Sequence, residues 1–450
     1  MTEPVESAEP VESAEPSERP KPVVAGFPDH FLWGTATCAH QIEGGNSRSD
    51  WWEFEQQPGR IANGERSGDA ADHWNRVDED IELMTRLGAN SYRMGIEWAR
   101  LEPEDGGAGA PLWDEAAWDH YRREIDGLLA AGIEPMVTLL HFTLPLWLSR
   151  RGGVCALDFP ARFGRFAAEA ARRLPDVRLW CTVNEPNVVM FFGYVDGVFP
   201  PGVKDPKRAV RALLGQLRGH AAAAQALRAV APYAMVGVAN HLSRLEPLRP
   251  RNPLDRLVTA QADKAFNWSF QDSIHEGRAR MKALGFPTLD EPIEGLKGST
   301  DFFGLQYYTR NLLGFSMGTP GMVRREVAPG AVSDLGWEIY PQGFEQVIRE
   351  AWARYRLPVI VTENGIADAK GDLRPSYLTS HVAAMRRAMA DGVPVLGYYH
   401  WSLLDNFEWA EGFAPRFGLY RVDYATQERH ETPACAVFRE LATGGSLAGS

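Results

Sequence analysis

Two glutamates far apart in the chain each stand where a run of apolar, β-branched residues stops, in Thr182-Val183-Asn184-Glu185-Pro186 and in Val361-Thr362-Glu363-Asn364-Gly365. Carboxylates presented from the ends of two different strands suit cleavage of a glycosidic bond by double displacement. One attacks as nucleophile, and the other serves first as acid and then as base. Glu363, which leaves the apolar run into an Asn-Gly turn, is the expected nucleophile. It needs cationic or hydrogen-bonding support to hold its pKa down, and Arg93 and Tyr308 are the candidates. Glu185 is the expected acid/base, its pKa raised by an apolar setting and by the charge on Glu363. Taken alone, Glu363 reads equally well as a capping or salt-bridged carboxylate, and Asn-Glu-Pro as an ordinary turn. Their pairing is what favours chemistry.

These residues need a scaffold that turns many strand ends toward one place. Eight strand-like apolar runs recur, at Phe31–Thr37, Ser91–Trp98, Glu134–Leu140, Arg178–Glu185, Met235–His241, Phe302–Tyr308, Pro358–Asn364 and Pro394–Trp401. Their near-continuous hydrophobicity suits parallel strands buried on both faces. Helical patterns lie between them. Val77, Ile81, Met84 and Leu87 share one face before Gly88, Tyr121 to Ala131 runs up to Gly132, and Ala209 to Val230 is rich in Ala, Arg and Leu. The alternation specifies a single α/β (β/α)8 barrel with elaborated loops over residues 26–445. A doubly wound sheet is the runner-up, without a G-x-G-x-x-G turn to support it. Barrels keep their chemistry at the strands' C-terminal ends, where Gln41, Arg93, His141, Asn184, Glu185, Tyr307, Tyr308, Glu363 and Trp401 all fall.

Composition narrows the classes. A chain of 450 residues, 44% hydrophobic and with 14 Trp, can bury a large core, and a net charge of −12 argues against nucleic acid and anionic membranes as partners. No stretch approaches the length of a membrane span. Cys38, Cys155, Cys181 and Cys435 show no C-x-x-C spacing, so neither metal nor redox use is expected, and a reduced, cytoplasmic setting fits. Residues 4–15 repeat Pro-Val-Glu-Ser-Ala-Glu twice, and residues 1–21 hold six Glu against Arg19 and Lys21. This reads as a disordered acidic tail over residues 1–25, not as a secretory signal.

The two glutamate motifs resemble those of glycoside hydrolase family 1, the β-glucosidase and β-galactosidase family, and the likeness runs from about Phe27 to about Phe438. Phe31-Leu-Trp-Gly-Thr-Ala-Thr-Cys-Ala-His-Gln41-Ile-Glu-Gly resembles the family's N-terminal signature, and Trp401-Ser-Leu-Leu-Asp-Asn-Phe-Glu408-Trp409 its sugar-binding loop. The resemblance implies several roles. Arg93 and Tyr308 contact the nucleophile, and Asn184 donates to the sugar 2-hydroxyl. Gln41 and His141 hold the 3- and 4-hydroxyls, Trp401 is a stacking floor, and Glu408 and Trp409 grip the 4- and 6-hydroxyls. It implies a retaining exo-β-glycosidase, foremost a β-glucosidase with side activity on β-galactosides and β-fucosides, working on a small glycoside without cofactor. A charged Glu408 would repel a 6-phosphate, so phosphorylated sugars are not expected.

Three places depart from the family: Phe142-Thr143 where Trp-Asp is common, Gln306 where Asn is usual, and Arg93-Met-Gly-Ile-Glu97-Trp98 for Arg-Phe-Ser-Ile-Ser-Trp. They bear on sugar preference rather than on the chemistry. Other readings are a non-catalytic sugar- or protein-binding barrel, a thioglucosidase, against which Glu185 argues, and a transglycosylase using the same two carboxylates. The aglycone is expected to be read by the long loops Pro186–Lys207, Leu242–Asn267 and Phe315–Trp337. The oligomeric state has no signature in the sequence.

Overall fold

All eight apolar runs form parallel strands: β1 (Leu32–Ala36), β2 (Ser91–Gly95), β3 (Glu134–Leu140), β4 (Leu179–Asn184), β5 (Met235–Pro247), β6 (Phe302–Phe315), β7 (Val359–Asn364) and β8 (Val395–Trp401). The computed structural model describes residues 27–28, 30–107, 111–319 and 322–444, so the expected acidic tail lies outside the described residues. Each strand pairs with the next, and β8 returns to pair with β1, Leu32 opposite Gly397 and Ala36 opposite Trp401. The sheet is a closed (β/α)8 barrel.

Every residue of β2, β4 and β7 is buried, because each strand faces two apolar layers. Along β4, Leu179 and Cys181 join Met136, Ala239 and Ile360 within the barrel, while Trp180 and Val183 pack with the surrounding helices. Those helices include His73–Arg86, Glu115–Ala130, Phe159–Arg173, Pro206–Val230, Pro341–Tyr355 and Arg374–Ala390. The first ends as its pattern suggests, with Leu87 as C-cap and Gly88 at φ 70°, a left-handed turn that favours glycine.

The structure corrects the expected elements in three ways. The run Ser91–Trp98 breaks after Gly95, because the Glu97 side chain accepts from the Ala99 amide and caps a short helix at Trp98–Leu101. Strands β5 and β6 continue past the barrel rim as a paired ribbon, Arg244 opposite Arg310 through Pro247 opposite Leu313. Tyr308 therefore sits inside a strand rather than at its end. The segments read as long loops also hold regular structure: helices Pro186–Tyr194 and Pro253–Asp263, and a strand Val323–Glu326 antiparallel to β6. Apolar stripes that serve a cavity rather than the core gave no strand–helix rhythm to read.

The end of the chain is tied to its first long helix. Arg429, on the hairpin Tyr420–Asp423/Glu428–Glu431, places Nε 2.9 Å from Asp80 Oδ1, and both side chains are fully buried. Its Nη2 also donates to the Ala71 carbonyl at 2.6 Å. His73 lies between Asp80, at 2.7 Å, and Glu124, at 3.1 Å. Burial opposes charge on its ring, yet the two carboxylates outweigh burial and push its pKa up to about 10. Replacing Arg429 by Met strips a buried acid of its guanidinium but leaves it the charged His73, and is expected to cost about 1–3 kcal/mol. Urea unfolding checks this; an unchanged midpoint would show that the pair contributes nothing net.

Candidate active site

A cavity of about 1230 Å³ opens at the C-terminal rim of the barrel, and Glu185, Glu363, His141, Tyr308, Trp401, Glu408 and Trp409 all line it. Glu363, next to last in β7, is fully enclosed. Arg93 Nη1 donates to its Oε1, and the Tyr308 hydroxyl donates to Oε2 at 2.6 Å. The two supports expected from the sequence are thus in contact. Their net effect differs from expectation: burial pushes the pKa of Glu363 up to about 7, against Arg93 and Tyr308, with Glu185 adding to the rise. Desolvating the carboxylate outweighs one guanidinium and one hydroxyl.

Arg93 is itself fully buried on β2 and organises its neighbours. Nε donates to Thr138 Oγ1 at 3.1 Å, and Nη2 donates to Asn184 Oδ1 at 2.6 Å. Asn184 Oδ1 also accepts from Gln306 Nε2 at 2.7 Å. With Oδ1 doubly engaged, Asn184 Nδ2 is buried without a partner and free to donate to a bound ligand. Gln306, the departure from the family's usual Asn, thereby fixes which way the Asn184 amide faces.

Glu185 follows β4 with φ 42° and ψ 59°, a left-handed conformation that costs a non-glycine residue about 1–2 kcal/mol. Two neighbours hold it there. Its amide donates to the Ala239 carbonyl at 2.8 Å, and Pro186 opens the following helix. The carboxylate meets His241, whose Nδ1 lies 2.7 Å from Oε1. The His241 ring stacks on Tyr308, with centroids 5.8 Å apart and planes 22° apart. A continuous path therefore joins the two glutamates, from Glu185 to His241, across the stack to Tyr308, and on to Glu363. Sequence reasoning gave His241 no role, although it closes the fifth apolar run and the rule that selected the other strand-end polar residues selects it too.

The facing wall comes from both ends of the chain. Gln41, on the short helix after β1, donates from Nε2 to Asn406 Oδ1 at 3.0 Å, to the Phe407 carbonyl at 2.9 Å and to Glu408 Oε2 at 3.4 Å. Its Oε1 is buried and unpartnered, as is His141 Nδ1. Burial holds the His141 pKa well below its usual value, with Arg93 adding to the effect, so the ring is neutral. Trp401 ends β8 with its ring centroid 6.0 Å from that of His141. Trp409 is enclosed by Trp51 at 4.6 Å and by Phe142 at 5.0 Å. Phe142 brings an apolar edge where an indole N–H would have donated. Gly365 lets the turn after Glu363 press against the Trp401 carbonyl, where any Cβ would clash. Phe417 also reaches the cavity.

Glu408 departs from expectation. Burial, with Glu363 and Glu185 adding, pushes its pKa up to about 8, so it holds its proton more tightly than an ordinary carboxyl. Among the described residues no cluster of His, Cys, Asp and Glu is arranged to hold a metal ion.

Unpaired donors and acceptors beside two enclosed carboxylates, at the open end of a (β/α)8 barrel, suit a polyhydroxylated ligand. Known proteins agree. The sequence pattern of Glycosyl hydrolase family 1 spans residues 23–445. Beta-glucosidase A of Thermotoga maritima is 35% identical over 425 residues, 90% of this chain and 94% of that protein. The beta-galactosidase of Pyrococcus woesei is 32% identical over 94% of this chain and 98% of its own. The solved structure of beta-glucosidase from Thermotoga maritima in complex with castanospermine superposes with a TM-score of 0.87 at 32% identity, covering 94% of this chain and 99% of that one. The protein is a glycoside hydrolase. Within that class it belongs to glycosyl hydrolase family 1 and is a β-glycosidase.

Tyr308→Phe removes a donor that favours ionised Glu363 and is therefore expected to raise its pKa further. Carboxyl ¹³C NMR titration, differenced against Glu363→Gln, reads this directly. A fall in the titration midpoint would contradict the hydrogen-bond assignment.

Proposed function

We propose that the enzyme is a retaining, exo-acting β-glucosidase with side activity on β-galactosides and β-fucosides. The observation that carries the reading is the enclosed Glu363, gripped by Arg93 and Tyr308, in one cavity and one electrostatic field with Glu185. Glu363 attacks the anomeric carbon, and Glu185 protonates the departing oxygen. The glycosyl ester that results has lost the charge of Glu363, and Glu185 then takes a proton from water as it attacks the same carbon.

The neighbours fit these steps. Arg93 and Tyr308 stabilise Glu363 as it becomes the leaving group of the second step. Asn184 Nδ2 would donate to a 2-hydroxyl, Gln41 Oε1 and His141 Nδ1 would meet the hydroxyls farther round the ring, and Trp401 would floor the pocket; that the three polar atoms have no partner within the protein supports this. Ser243 Oγ lies 3.4 Å from His241 Nε2, which suits an Nδ1–H donating to Glu185 Oε1. That leaves the acidic proton of Glu185 on the other oxygen, free for the substrate. Glu408 and Trp409 complete the pocket. A protonated Glu408 repels a 6-phosphate less than a carboxylate does, and the cations that line the cavity are Arg60 and Arg325. The reading stays with unphosphorylated sugars on the family resemblance alone. Four free cysteines, three of them buried, support a reducing and hence cytoplasmic setting.

Glu363→Ala is expected to lower kcat on p-nitrophenyl β-D-glucoside by 10⁴-fold or more, on the order of the loss when a covalent nucleophile is removed. Added azide should restore part of the rate and yield the α-glucosyl azide; recovery of a β-azide, or no rescue, would remove Glu363 from the nucleophile role. Glu185→Gln should slow alkyl glucosides, whose leaving groups need a proton, far more than 2,4-dinitrophenyl glucoside. Equal slowing of both would overturn the acid assignment.

A further inference from the structure

The helix Pro253–Asp263 is turned the wrong way round for a surface helix. Its buried residues are Asp255 and Thr259. Asp255 accepts from the Phe315 amide at 2.9 Å and from Arg249, while Thr259 Oγ1 reaches the Leu313 carbonyl at 3.4 Å. These polar contacts fix the helix to the β6 ribbon. The adjacent stripe, Leu254, Leu257, Val258 and Ala262, has the i, i+3, i+4, i+8 spacing of a core-facing helix, yet it lines the cavity.

Other segments repeat the pattern. Phe191, on the helix after Glu185, lies edge-on to Phe266 at 5.3 Å and to Phe286 at 5.6 Å, and all three line the same space. Among the described residues eleven large hydrophobic side chains are exposed, and five of them, Val198, Leu254, Leu257, Leu284 and Met322, line this one cavity. Leu257 is 50% and Leu284 58% exposed. So much apolar surface gathered in one concavity marks a binding surface, not scattered exposure. It is continuous with the space that holds Glu185 and Glu363, so its occupant is joined to the bond being cut.

We infer that the substrates are β-glycosides of a bulky aliphatic aglycone, whose hydrocarbon lies between the helix Pro253–Asp263 and the Phe191–Phe266–Phe286 wall. The inference rests on the β-glycosidase reading above and assigns its leaving group. Gln261, Asn311 and Arg325 line the same cavity and could meet hydroxyls, but the exposed Leu254, Leu257 and Leu284 offer a second sugar no partner. A hydrocarbon needs none and gains by leaving water.

The test is kcat/KM for methyl, butyl, hexyl and octyl β-D-glucosides below their micelle concentrations, with cellobiose and p-nitrophenyl β-D-glucoside alongside. Each added methylene that reaches the wall should raise kcat/KM by about fourfold, as burial of a CH₂ group predicts, and octyl glucoside should exceed cellobiose. Leu257→Asn and Leu284→Asn, at half-exposed positions that folding tolerates, should flatten that rise. A flat series in a wild type that turns over p-nitrophenyl glucoside would sink the inference and leave the β-glucosidase reading standing. Absence of turnover on p-nitrophenyl glucoside would instead sink the reading beneath it. Sedimentation of a dimer that Leu257→Asp converts to monomers, together with a flat series, would show that a second copy of the chain covers the wall and would equally overturn it.

Discussion

A single buried cation organises this barrel's open end. Arg93 has no exposed surface, and a guanidinium in that position is tolerable only if its donors are engaged and its charge is answered. Glu363 answers the charge, while Thr138, Asn184 and the Thr362 carbonyl take further donors. Four strands are thereby set by one residue: β2 carries it, and β3, β4 and β7 meet it. The placement of Glu363 depends on where that charge sits; with Gln306 it orients Asn184, and it adds to the burial that keeps His141 neutral. Exchange for lysine would not preserve the arrangement, because an ammonium lacks the planar fork that reaches Asn184 and Glu363 together.

The same enclosure makes the acids of the pocket interdependent. Glu185 adds to the rise in the pKa of Glu363, and both add to that of Glu408. Three carboxyls in one poorly hydrated space cannot all be ionised cheaply, so a change in the charge of any one is felt by the others. On the double displacement proposed above, formation of a glycosyl ester at Glu363 would be such a change.

Most of the barrel was legible because parallel strands buried on both faces write themselves as unbroken apolar runs, and eight such runs gave eight strands. The strand-end rule also brought His141, Glu185, Glu363 and Trp401 to one cavity, with Gln41 bonded to Glu408, which lines it. What escaped had physical reasons. The Glu97 cap that ends β2 is a side-chain hydrogen bond inside an apolar stretch. The β5–β6 ribbon continues beyond the barrel through Arg244, Glu246 and Arg310, whose charges look like loop. The left-handed turn at Glu185 leaves no trace in residue types, since tertiary contacts impose it. His241 was within reach of the rule and was passed over. The acidity of Glu408 was misjudged because burial, which sequence does not measure, weakens it.

Barrel closure carries a consequence for the order in which the molecule matures. Strand β1 pairs with β8, and Gln41 reaches Asn406, Phe407 and Glu408 directly across that seam. That seam therefore joins residues from opposite ends of the chain, contacts that a growing polypeptide makes last. A nascent chain with seven strands in place has Glu185 and Glu363 but not the wall that Trp401, Glu408 and Trp409 add. That wall forms only when the barrel closes, so the cavity is completed with the final strand.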